Sequence, residues 1–170
     1  MTTSADSFKA GMRQLAAGVS VITTTAGDGT RLGITATAVC SLTAEPPSLM
    51  VAVNTATGTG AVIAATGRLC VNVLARSHED VARVFAGMTG INGPERFDTG
   101  TWTTESTGAP VLADALAAFD CTVVKTVDHG THTVFISEVQ AVRVNATSPD
   151  PLVYANSAFT GVESPASQAA

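Results

Sequence analysis

Charge and aromatic rings are both scarce in this sequence of 170 residues: Asp, Glu, Lys and Arg make up 14% of it, and Phe, Trp and Tyr 5%. The nine Lys and Arg stand singly against fourteen Asp and Glu, giving a net charge of -5 and an isoelectric point near 5.0. No basic stripe exists to follow a nucleic-acid backbone or an anionic membrane, so neither is an expected partner. No apolar run approaches a membrane span, and the opening M-T-T-S-A-D-S-F-K-A lacks the basic-then-apolar order of a secretion signal. Cysteine is limited to Cys40, Cys70 and Cys121, far apart, without C-x-x-C spacing and each inside an apolar run. That pattern fits buried, reduced thiols in a cytoplasmic protein rather than a disulfide framework or a zinc site. Asn145-Ala146-Thr147 spells a glycosylation sequon, which a chain without a secretion signal has no occasion to use.

Catalytic signatures are missing as well. Neither G-x-S-x-G nor H-E-x-x-H occurs, so hydrolase readings have nothing to stand on. The glycines at 58 and 60 do not open a dinucleotide fingerprint, which would need a third at Ile63, and no lysine completes a P-loop. Glu45, Glu79, Asp80, Glu95, Glu105 and Asp114 fall in expected loops or helix starts, where solvent or capping accounts for them.

What is present is enough apolar sequence, 45%, to build one domain with a real core. We expect it to span 7–162, with short disordered ends at 1–6 and 163–170. So little charge over that core points to an oligomer. Asp6 or Ser7 can cap a first helix with Phe8, Met12 and Leu15 on one face, ended by Gly18. Residues 19–25 and 32–39 read as a hairpin across Gly27-Asp28-Gly29, 48–54 as a buried strand delivering Asn54 to an edge, and 69–74 as another strand. Ser77 and Asp80 suggest a capping box for a helix carrying Val81, Val84 and Phe85. Residues 86–108 read as one long loop, 112–118 as a helical or turn segment, 119–127 and 133–144 as a second long hairpin, and 151–154 as a late strand. Strands joined by turns rather than long helices predict a mainly β, antiparallel, Greek-key-like barrel with short flanking helices.

Two features carry candidate chemistry. The stretch 33–54 gathers Thr35, Thr37, Ser41 and Thr43 around small residues such as Ala36 and ends in a Pro46-Pro47 turn. Small side chains and hydroxyls let a flat polar ligand approach the backbone, although threonine is also simply a good strand former. Beyond Asn54, the run Thr55-Ala-Thr57-Gly58-Thr59-Gly60 opens a short helix and offers free N–H groups to an anion. Asp128, His129 and His132 could bind metal, but a hairpin turn of solvated residues explains them as well and no further ligand lies nearby. Phe97 and Trp102 either cover a ligand or pack back on the core, and Arg83 and Arg96 either meet phosphate or stay solvated. A barrel with hydroxyls, an anion loop and no general base most naturally positions a cofactor that carries the chemistry.

The motifs G-V-S-V-I-T-T at 18–24, G-I-T-A-T-A-V-C-S at 33–41, P-P-S-L-M-V at 46–51, L-C-V-N-V-L at 69–74, F-A-G-M-T-G at 85–90, E-R-F at 95–97 and G-T-H-T-V at 130–134 resemble the short-chain flavin reductases. These are the reductase components of two-component flavin monooxygenases, among which the sequence is similar to the 4-hydroxyphenylacetate 3-monooxygenase and pyrimidine-utilisation types. The resemblance runs from about Phe8 to Phe159. It implies an FMN-binding split barrel, a homodimer, and hydride transfer from NADH or NADPH to FMN or FAD, the reduced flavin passing to an oxygenase. A non-catalytic flavin carrier or sensor on the same barrel is the alternative. By the same resemblance, Thr35, Ala36, Thr37 and Ser41 line the flavin ring, Asn54 and Thr55 follow the ribityl chain, and Thr57 and Thr59 hold phosphate. Arg83 and Phe85 lie near the phosphate or an adenine, and His132 borders the nicotinamide. The family's arginine after the matching asparagine is here Thr55, one positive charge fewer at the phosphate.

Overall fold

The computed structural model describes residues 3–145 and 150–162. The expected tail at 163–170 and most of the sequon lie outside them. The chain begins with α1 (Ala5–Met12), capped by Ser4, whose hydroxyl accepts from the Ser7 N–H, so neither Asp6 nor Ser7 is the cap. The helix stops well short of Gly18 and buries no residue; Phe8, Met12 and Leu15 are all exposed. Next come β1 (Ala17–Gly18), β2 (Ser20–Thr25), β3 (Arg31–Ala36), β4 (Val39–Ala44), β5 (Pro47–Asn54), α2 (Gly58–Thr66), β6 (Arg68–Val73) and α3 (Glu79–Phe85). The chain closes with β7 (Trp102–Thr104), β8 (Pro110–Leu112), β9 (Ala117–His129), β10 (His132–Val144), β11 (Leu152–Ala155) and β12 (Ala158–Gly161).

Seven strands form the main sheet in the order β3-β2-β6-β9-β10-β5-β4, every pairing antiparallel. β-branched residues dominate them, as the strand reading required. Inside lies a cluster that includes Ile22, Val51, Val53, Ile63, Leu69, Val71 and Phe135. A second cluster packs α3 and residues 97–115 against the other side of β2. The small sheet β1-β11-β12 adds β12, a strand the sequence did not disclose.

The segment between α3 and β9 is not one loop. It holds a 3-10 turn at Gly93–Asp98 and the hairpin β7-β8, so residues expected to be helical or turn begin in a strand. Buried polar groups of the barrel pin it. Asn72 Oδ1 accepts from the Leu112 N–H at 2.7 Å and Asn72 Nδ2 donates to the Val21 carbonyl, while both carboxylate oxygens of buried Asp120 accept from Thr107. Phe97 and Trp102 face inward, with ring centroids 5.0 Å apart and 5.0 and 5.4 Å from Phe85. They pack on the core.

The expected Ser77–Asp80 box does not form. α3 starts after His78 with no side-chain cap, and the His78 Nδ1 instead accepts from the Ala75 N–H while Nε2 meets Asp114 at 3.2 Å. Of the thiols, Cys70 and Cys121 are buried as expected, but Cys40 is exposed because β4 is an edge strand whose residues 40–44 all face solvent.

Candidate functional site

β3 runs from a cationic end at Arg31 to a run of small residues at its far end, and two cavities meet along it at Ile34. The first, about 270 Å³, is walled by residues 34–38, by 52–54 of β5 and by His132. Its wall is thin: Ala36, Ala38 and Ala52 bring backbone close to the space. Thr35 and Thr37 line it too, though the Thr35 hydroxyl is turned away, donating to the Ala82 carbonyl at 2.7 Å and tying β3 to α3.

The β9-β10 hairpin places His132. Its turn is only Gly130-Thr131, so Asp128 and His129 end β9 and His132 opens β10, directly across from Asn54. Asp128 accepts from the Thr133 hydroxyl at 2.6 Å, and the His132 Nδ1 lies 2.9 Å from the Thr131 hydroxyl. The Thr131 carbonyl accepts both the backbone N–H and the hydroxyl of Thr55, at 2.9 and 3.2 Å. The histidine turn is thereby fixed to the loop that leads into α2.

The second cavity, about 350 Å³, lies at the start of α2 and is lined by Thr57, Gly58, Thr59, Phe85, Arg31 and Arg96 among others. The Thr57 hydroxyl donates back to the Asn54 carbonyl at 2.7 Å, and the Asn54 side chain accepts from the Ala56 N–H at 2.9 Å. This Asx-type turn fixes the loop, while no side chain caps the first N–H groups of α2. A helix start with unclaimed donors favours an anion. Among the described residues, no carboxylate lines the cavity.

Of the residues the sequence singled out, Thr35, Ala36, Thr37, Asn54 and His132 come together at the small-walled end, and Thr57, Thr59 and Phe85 at the anion end. Three do not join them. Ser41 is exposed on β4 opposite Leu49, about 10 Å along the strand from Ala38 at the usual rise per residue. Thr55 lines neither cavity, because its polar groups are committed to Thr131. Arg83 lies on the outer face of α3, bound to Glu79 at 2.6 Å and over the Phe159 ring at 5.4 Å. The Glu79 to Arg83 spacing of a helical ion pair was the available signal. Arg96, weighed in the sequence, and Arg31, which was not, take the cationic position instead.

The chain is 45% identical over 136 residues, 80% of it and 74% of the relative, to "FMN reductase (NADH) RutF" of Ancylobacter novellus. It is 42% identical over 158 residues, 93% of it and 92% of the relative, to the 4-hydroxyphenylacetate 3-monooxygenase reductase component of Pseudomonas aeruginosa. A crystal structure described as that of "a putative flavin reductase" from Haemophilus somnus superposes with a TM-score of 0.88 at 34% identity, covering 94% of this chain and all of that one. A family profile described as "Flavin reductase like domain" matches residues 12–163. By profile, sequence and split-barrel fold, the chain belongs to the flavin reductase-like family.

Proposed function

We propose that this protein is an NAD(P)H:flavin oxidoreductase that reduces FMN or FAD and supplies the reduced flavin to the oxygenase component of a two-component monooxygenase. The observation that carries it is the groove along β3. Its small-walled end suits a flat ring system, its other end suits a phosphate, and the Asn54 turn joins the two over a span walled by short side chains. The donor set therefore fits a phosphorylated flavin. Bound there, the flavin supplies the ring that accepts hydride.

The chain's own residues bind and orient. Residues 34–38 hold the ring mainly through backbone, Thr57, Thr59 and the start of α2 hold phosphate, and His132 positions the nicotinamide. Holding two partners in contact geometry makes the transfer effectively unimolecular, worth about 7 kcal/mol or more. No acid or base is needed. Relatives are named for NADH and FMN, and these are the first pair to assay. Loss of absorbance at about 340 nm with NADH and FMN is the expected result. Absence of turnover with FMN, FAD and riboflavin under both nicotinamides overturns it, and tight flavin retention without turnover identifies a carrier instead. His132→Ala should raise the KM for the nicotinamide more than that for flavin, and equal effects would remove its assigned role.

We also propose a homodimer, on the exposure of Phe8, Met12 and Leu15 together with Val124, Val127, Val142 and Val144. Sedimentation should give twice the 17.2 kDa chain mass. Three free thiols support a cytoplasmic location, and among the described residues no helix is long and apolar enough to cross a membrane.

A further inference from the structure

We infer that Arg31, together with Arg96, forms a two-cation clamp that makes the site select phosphorylated flavins over riboflavin. This rests on the flavin reading above and adds the residues that discriminate.

The net charge of the chain is -5, yet two arginines share one cavity that no Asp or Glu among the described residues lines. Neither belongs to an ion pair among the described residues; those pairs engage Arg76, His78, Arg83 and Arg143. Arg96 is held by its own loop, its Nε donating to the Ile91 carbonyl at 3.1 Å and its Nη2 reaching the Asn92 side chain at 3.5 Å. Arg31 is held differently. Its guanidinium carbon lies 4.6 Å from the centroid of the Phe97 ring, which is itself buried against Phe85 and Trp102.

An aromatic face engages the plane of a guanidinium and leaves the N–H groups at its edge free. Those of Arg31 have no hydrogen-bond partner among the described residues, so a planar fork suited to two phosphate oxygens stands ready beside the start of α2. The platform itself is held in place, because Phe97 packs against both Phe85 and Trp102. Riboflavin, which ends in a hydroxyl where FMN carries a dianion, gains nothing from this arrangement.

The test is a fluorescence titration of FMN and riboflavin against the wild type, Arg31→Gln and Arg31→Lys. For Arg31→Gln, the Kd of FMN should rise about 10- to 100-fold, the range for losing a hydrogen bond to a charged group, with little change for riboflavin. Arg31→Lys should fall between, since it keeps the charge and loses the fork. Added salt should weaken the wild type toward FMN more than toward riboflavin. Arg31 is exposed at the start of β3, and an unchanged melting temperature checks that the variants fold. If the wild type binds FMN and Arg31→Gln binds it equally well, or loses both flavins to the same degree, the clamp is overturned and the reductase reading stands. A wild type that binds no flavin overturns both.

Discussion

Phe85 fills the space where a side chain at position 33 would go: a β-carbon built on Gly33 lies 2.7 and 2.8 Å from two carbons of that ring and 3.3 Å from the Ile22 carbonyl oxygen. The ring cannot step aside, since Phe97 and Trp102 press on it from behind. Gly33→Ala should therefore cost about 1–3 kcal/mol in urea unfolding, the range for overpacking, and weaken FMN binding, because Phe85 lines the anion end. Wild-type stability and affinity would refute this. The opposite sign is expected at Ser137, whose hydroxyl is buried on β10 with no partner among the described residues. Ser137→Ala removes an unmet desolvation cost and should gain about 1 kcal/mol in the same measurement; a loss would mean that the hydroxyl is satisfied in solution. Most of the candidate site is legible in the sequence at this scale because the residues lining its two cavities come largely from two short runs, 33–37 and 54–59, plus one turn. Arg31 was not legible, since what makes it a ligand candidate is its distance to Phe97, far along the chain.

Elements were legible where periodicity and turns set them, as in the β2-β3 and β9-β10 hairpins. The excursion between α3 and β9 was not, because its order comes from the barrel rather than from its own residues. Asn72 is the clearest case: it is fully buried, accepts from the Leu112 N–H and donates to the carbonyls of Val21 and Pro110 and to the Thr23 hydroxyl, at 3.1, 3.4 and 3.1 Å. A lone amide inside the apolar run L-C-V-N-V-L was the trace this left in the sequence. Asn72→Ala leaves the buried Leu112 N–H without its partner and should destabilise the protein by roughly 1–3 kcal/mol. Amide exchange should quicken first in β7 and β8, before the barrel strands respond. Uniform acceleration across the chain would show that the excursion is not a separate unit.

Across the whole molecule, the antiparallel barrel followed from strands joined by turns, whereas the order of its strands, with β9 and β10 between β6 and β5, needs contacts that no local pattern records. The same closure decides how stability responds to alkali. Burial pushes the Cys121 thiol to about 12 from its ordinary 9.0, aided by the charge of Asp120, and raises Cys70 well above that ordinary value for the same two reasons, burial first. In the unfolded chain both lose their protons near pH 9, so above it the folded state holds more protons than the unfolded one, and stability must fall as pH rises. The contribution is complete below pH 9 and is lost on the way to about pH 12. Urea midpoints measured across that window should decline more steeply for the wild type than for Cys121→Ala, whatever offset the substitution itself brings. Parallel slopes would show that the thiol titrates freely in the fold. A thiol reagent at neutral pH gives the independent check: the native protein should react once, at exposed Cys40, and the unfolded chain at all 3 cysteines. A second fast-reacting thiol in the native state would mean that the barrel opens near Cys70 or Cys121, and the alkaline slope would then shrink with it.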